Sequence, residues 1–166
     1  VHIRRAHLRI LFERFMARLR AGEAESVASQ TLLIPEDITL SQPEVMALTD
    51  AREALLGMGM DLAQVDDQTV QLRAVPADMT AHVREALDAV LETYHDGLWT
   101  DHEARQAQWA KAWARRAAVT GEAPMPLEAR RRLVADLWAC DHPNVDPSGR
   151  QTLSVWAAED LENPFR

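Results

Sequence analysis

The chain is expected to fold as an α+β domain, with small mixed or antiparallel sheets and flanking helices, and three observations carry that expectation. Residues 29–76 contain apolar runs and alternations at strand spacing on both sides of one helical stretch. Residues 5–20 and 83–138 instead repeat apolar positions at three- and four-residue intervals. Strands clustered chiefly in one segment and helices chiefly in the others define an α+β order, not a regular α/β alternation.

Taken in order, Leu8, Leu11, Phe12, Phe15, Met16 and Leu19 line one face of a helix over 5–20. Ala21-Gly22 stops it, and Arg18 and Arg20 suit its carboxyl end. After a polar connector, Glu23 to Ala28, the apolar runs Leu32-Leu33-Ile34 and Ile38 to Leu40 flank Pro35. That pattern reads as a strand bent or broken at proline, which donates nothing to a β ladder and therefore sits at edges or bulges. Ser41 followed by Pro43 and Glu44 has the form of a capping box. The helix it opens runs through Val45, Leu48, Ala51 and Leu55 to Gly57 and Gly59. Met60-Asp61-Leu62 and Val70 to Val75 then read as a half-buried antiparallel pair, with Asp66-Asp67-Gln68 as the turn and Pro76 as the end.

Thr80 is placed to cap a helix with Val83, Leu87, Val90, Leu91 and Tyr94 on one face, stopped by Asp96-Gly97. Thr100-Asp101-His102-Glu103 reads as a second capping box, opening an alanine-rich helix through Trp109 and Trp113 to Val119, with Gly121 closing it. A helix carrying Leu127, Leu133, Val134, Leu137 and Trp138 follows the Glu122 to Pro126 link. Residues 142–149 are loop by composition, 151–155 alternate as a short strand, and Ala157 to Glu162 makes a final helical turn or two.

The 166 residues suffice for one domain or two small subdomains. A net charge of −8 argues against a DNA-binding surface covering the domain. The single cysteine, Cys140, excludes an internal disulfide and fits a reducing cytoplasm, and no apolar run is long enough to span a membrane. A start at Val1, directly into a helical pattern, is expected of a piece of a longer protein. Five tryptophans fall from Trp99 onward, which predicts a large buried surface there, either core or subunit interface.

The strand Gln30-Thr31-Leu32-Leu33-Ile34-Pro35, paired with Val70-Gln71-Leu72-Arg73-Ala74-Val75-Pro76 some forty residues on, resembles the C-terminal domain of MutL-type DNA mismatch repair proteins. The resemblance spans nearly all of 1–166 and implies an outer regulatory subdomain over about 30–96, with 1–29 and 97–166 forming a dimerisation subdomain. Its implied function is homodimerisation and scaffolding. Two copies would hold together N-terminal ATPase domains, outside this chain, that bind ATP and magnesium, contact DNA and signal to a mismatch-recognition protein, a nicking enzyme and a helicase. The implied location is cytoplasmic.

Many members of that family carry an endonuclease motif, DQHA-x2-E-x4-E, on the first helix, whose acids and histidine bind metal. By that resemblance His2, Ile3, Arg4 and Leu8 replace four motif residues, and only Glu13 remains. Near the carboxyl end Asp146 and Ser148 stand where the family's C-P-H-G-R-P-T segment places its zinc-ligating cysteine and histidine. A hard divalent cation needs several oxygen ligands, so no catalytic residue, metal or cofactor is expected of this chain. The alternative is a metal-dependent nicking endonuclease using manganese or zinc. Cys140-Asp141-His142 is a weak metal signal without a CxxC or HxxxH partner, and Arg130-Arg131-Arg132 reads as a solvated helix face.

The same strand resembles the Q-x-x-[LI]-x-P form of segments that dock on the replicative sliding clamp, with Gln30, Leu33 and Pro35 as the reading residues. Such recognition requires an exposed edge. The competing expectation is that Leu32, Leu33 and Ile34 form a buried strand.

Overall fold

The computed structural model describes residues 1–21, 29–76, 83–95, 101–119 and 124–156. Its elements, in order, are α1 (Ile3–Ala21), β1 (Ser29–Thr39), α2 (Gln42–Asp50), α3 (Arg52–Gly57), β2 (Asp61–Asp66), β3 (Thr69–Pro76), α4 (Val83–His95), α5 (His102–Ala117) and α6 (Leu127–Trp138). The expected α+β class and the β-α-β-β order are both present. The connector Glu23 to Ala28, the Thr80 cap, the Asp96-Gly97 stop, Trp99, Thr100, Gly121 and the helical turn at 157–162 lie outside the described residues.

Two compact units divide the chain, Leu11–Ala118 and the pair Val1–Ile10 with Val119–Arg166. In the larger unit a three-stranded antiparallel sheet has the order β1-β3-β2, so β3 is central and β1 is an edge. Val70, Leu72 and Ala74 alternate with Arg73 and Gln71 along β3, and the first set is buried. Ile38 on β1 and Leu62 on β2 join that face opposite Val70 and Leu72. Burial chiefly of one face is the ordinary behaviour of an antiparallel sheet packed on helices, and at the end of β3 Val75 of the other face is buried as well.

The Ser41 cap is built as expected, with the Glu44 carboxylate accepting from the Ser41 backbone N–H at 2.8 Å and from its hydroxyl at 2.6 Å. One expectation fails just beyond it. The helix is divided at Ala51 into α2 and α3, while α3 ends at Gly57 as expected, with Met58 as its cap. Gly59 supplies the left-handed residue of the stop. It takes φ 85°, while its N–H reaches Leu56 O at 2.8 Å and the Met60 N–H reaches Leu55 O at 2.9 Å. That paired closure of the last carbonyls needs a left-handed residue, which glycine supplies without Cβ strain.

The centre of the larger unit is aromatic. Trp109 and Trp113, one turn apart on α5, have ring centroids 6.1 Å apart, and Phe15 of α1 meets Trp113 edge-on at 6.2 Å. All three are fully buried. The Trp109 Nε1–H donates to Thr93 Oγ1 of α4 at 2.7 Å, and that hydroxyl donates in turn to Val90 O at 2.7 Å. Gln106, also buried, donates from Nε2 to Leu19 O at 3.0 Å, at the open carboxyl end of α1. At the start of α5 the cap is Asp101, whose Oδ1 accepts from Ala104 N at 2.9 Å, one residue later than the expected box.

In the smaller unit Ala6 and Ile10 of α1 pack on Leu133 and Leu137 of α6, with Ile3, Cys140 and Leu153 against them. The strand expected over 151–155 does not form there. Only Val145 and Gln151 pair, as an isolated bridge. Thr152 is held instead by loop contacts, its N–H on Asn144 O at 3.0 Å and its hydroxyl on Pro143 O. Without a neighbouring strand to extend the ladder, alternation alone cannot make one.

Candidate functional site

Pro35 has the consequence that proline predicts. The β1–β3 register runs Gln30↔Val75 and Thr31↔Ala74, then breaks and resumes at Glu36↔Leu72. Residues 32–35 thus stand opposite Arg73 alone, a wide bulge that carries them out of the ladder. Leu33 is 103% exposed and Ile34 85% exposed, against 3% for Ile38 further along the same strand. Pro35 and Gln30 are exposed as well, and Leu32 is half-buried. The buried-strand expectation for Leu33 and Ile34 is therefore corrected. Two large aliphatic side chains exposed at a sheet edge form the most accessible apolar site among the described strands.

The edge is acidic on its far side. Glu36 and Asp37 follow Pro35 directly and are exposed, and Gln71 Nε2 donates to Asp37 Oδ1 at 2.9 Å across the strands. Gln30, Leu33 and Pro35 thus share a single strand segment flanked by carboxylates.

The second candidate region lies in the smaller unit, where the first turns of α1 meet the 142–152 loop. The His2 N–H donates to Thr152 O at 2.7 Å, Arg5 Nη1 donates to Gln151 O at 3.0 Å, and the buried Arg9 donates from Nε to Val145 O at 2.6 Å. His7 accepts from the Val119 N–H through Nδ1 at 3.1 Å. The structure thus brings together two segments that the family resemblance equates with metal-binding motifs, His2 to Leu8 and Asp146 to Ser148. Arg4 is exposed, Leu8 is buried and Ile3 packs on the apolar core, while Glu13 falls in the other unit, half-buried on α1.

Asp146 is the residue that composition concealed. Its side chain has no exposed surface. Oδ1 accepts from Ser148 N at 2.8 Å and Arg150 N at 3.0 Å, and Oδ2 receives Arg150 Nε and Nη2, each at 2.8 Å. Gly149 permits the turn at φ 81° and donates to Asp146 O at 2.9 Å. Burial pushes the Asp146 carboxyl up, but the Arg150 and Ser148 amides and the Arg150 guanidinium outweigh it and hold the acid below the usual carboxylate range. The D-x-S-x-R spacing is the one signal that could have marked this loop as organised. Among the described residues no three His, Cys, Asp or Glu side chains gather as a metal cluster would, and no helix is long and apolar enough to cross a membrane.

The tryptophans divide. Trp109 and Trp113 are core, while Trp138 and Trp156 are exposed, as are Leu127 and Val155 in the same unit. Exposed tryptophans on a folded unit are of the residue type enriched at protein–protein interfaces. Residues 1–125 match the family model described as the MutL C terminal dimerisation domain, and the chain belongs to that family. It is similar to the DNA mismatch repair protein MutL of Methanocorpusculum labreanum, 32% identical over 161 residues that cover 96% of this chain and 26% of that protein. It is 33% identical to the protein of the same name from Opitutus terrae over 170 residues, 98% of this chain and 26% of the relative. The namesake from Parabacteroides distasonis is 29% identical over 167 residues, 98% of this chain. The chain spans about a quarter of the length of these relatives.

Proposed function

We propose that this chain is the self-associating scaffold of a DNA mismatch repair protein and recruits the replicative sliding clamp through Gln30, Leu33 and Pro35. The observation that carries the clamp reading is the Pro35 bulge, which leaves Leu33 and Ile34 in water on an edge strand. An apolar groove on the partner takes the aliphatic side chain and the proline, and the Gln30 amide bonds at its rim. Contact through so short a segment is weak, on the order of tens of micromolar, and gains from two copies meeting a multivalent ring. Titration of the chain against its cognate clamp should show saturable binding, lost at least tenfold in Gln30→Ala plus Leu33→Ala with the fold intact. Equal binding by that variant would make the segment only a strand.

Self-association is supported by family membership and by the exposed Trp138, Val155 and Trp156. In the whole protein the paired chains hold N-terminal domains that use ATP and magnesium, and the assembly works with a mismatch-recognition protein, a nicking enzyme and a helicase. The subdomain division at 30–96 against 1–29 and 97–166 belongs to the same reading. With a net charge of −8, the chain leaves strong DNA contact to other parts.

No nuclease centre and no cofactor belong to this chain in our reading. The donor set where the family's metal motifs align does not fit a hard cation. Arg5 and Arg9 occupy backbone carbonyls of the loop, and the one buried carboxylate there, Asp146, is neutralised by Arg150. Manganese would meet cations where it needs oxygen ligands, and zinc would meet Asp146 and Ser148 where the family segment offers cysteine and histidine. The chain should leave supercoiled plasmid intact in manganese. Nicking that disappears in Glu13→Ala would establish the endonuclease alternative.

A further inference from the structure

Strand β1 meets β3 in two registers. Ser29, Gln30 and Thr31 pair with Pro76, Val75 and Ala74, whereas Glu36 to Thr39 pair with Leu72 to Thr69, and the Leu40 N–H extends the second set to Gln68 O at 2.8 Å. From Gln30 to Glu36 β1 advances six residues while β3 advances three, from Val75 to Leu72, so the registers differ by three residues. Each register alone would hide the docking segment. Continued inward, the first sets Leu33 opposite Leu72 and the second sets it opposite Val75, and both of those residues are 2% exposed. Residues directly opposite in an antiparallel pair lie on one face, so Leu33 would follow them into the interior. It stands in water only because the two registers coexist.

A line of three side chains fastens the second register at the foot of the bulge. Gln71 Nε2 donates to Asp37 Oδ1 at 2.9 Å, directly across the strands, and Gln71 Oε1 accepts from Arg73 Nε at 3.1 Å. Asp37 lies two places beyond Pro35 and Arg73 is the residue that faces the bulge, so the line runs from the base of the bulge to the position opposite it. An amide suits the middle place, since its nitrogen donates to the carboxylate while its oxygen accepts from the guanidinium. Resting on the clamp reading above, we propose that Asp37, Gln71 and Arg73 are positioning residues that hold the register offset presenting Leu33 and Ile34, and so preorganise the docking segment. None of the three needs to touch the partner. A segment released from its register has to be ordered at the moment of contact, and that ordering weakens the affinity.

Two variants separate the bond from its charges. Gln71→Glu keeps the acceptor for Arg73 but sets two carboxylates opposite each other, and Asp37→Asn plus Gln71→Glu restores a donor to an acceptor across the same pair with the net charge unchanged. Amide hydrogen exchange, read without any partner, should be about fivefold faster at Glu36 to Thr39 in Gln71→Glu and return to within about twofold of the parent in the swapped pair. Titration against the cognate clamp should follow the same order, about fivefold weaker and then recovered. Equal exchange in Gln71→Glu and the parent overturns the ladder. Faster exchange with unchanged clamp affinity overturns its part in docking, and a swapped pair that fails to recover overturns the proposal as well, because charge and not the bond then governs the segment. A parent that does not bind the clamp overturns the clamp reading, and hydrogen exchange still decides whether the three side chains hold the offset.

Discussion

Trp113→Ala should destabilise the chain by about 3–5 kcal/mol and lower its melting temperature by roughly 10 °C or more. The indole is fully buried, lies 6.1 Å from the Trp109 ring and receives the edge of Phe15 at 6.2 Å, so truncation opens a cavity bounded by rings that cannot collapse into it. Trp113→Phe keeps most of the apolar area and should lose less than half as much. Urea unfolding of the three proteins measures this directly, and a loss under about 1 kcal/mol for alanine would show that the ring does not fill the core. Because Trp109 shares the same contacts, Trp109→Ala combined with Trp113→Ala should cost less than the sum of the two.

Asp146→Ala should cost roughly 2–4 kcal/mol, more than any exposed ion pair of this chain, because it leaves the Ser148 and Arg150 amides without their acceptor beside the buried Arg9 contact to Val145 O. The exposed pairs, such as Arg20 with Glu103 at 3.2 Å, are screened by water and contribute about 1 kcal/mol or less. Asp146→Asn keeps an acceptor in place and removes the charge, which isolates the pH dependence. The folded carboxyl sits below its ordinary value, so its stabilisation is complete above the unfolded pKa near 4 and is lost as pH falls through the folded one. The stability gap between parent and Asp146→Asn should therefore be constant from about pH 5 to 7 and shrink as pH drops below about 4. A gap that stayed flat to pH 3 would mean that the charge contributes nothing to the loop.

By itself the sequence determined the α+β class, the β-α-β-β order, the Ser41 and Glu44 cap, the edge character of the strand at Pro35 and the family. Each is local, since a proline without an N–H, a reciprocal cap and apolar periodicity act within a few residues of where they are written. Only the tertiary structure decided which tryptophans are core. The spacing of Trp109, Trp113 and Trp138 marks helix faces, but a face is covered by α1 and α4 in one case and left exposed among the described residues in the other. The loop at 142–149 read as punctuation until the fold placed Arg9, 136 residues away in the chain, on Val145 and left Asp146 without access to water. The alternation at 151–155 likewise promised a strand that needed a partner, and the register that turns four residues of β1 outward at Pro35 was set by β3. Periodicity states that a surface will be buried. Its partner is a long-range fact, settled by which elements meet when the chain closes.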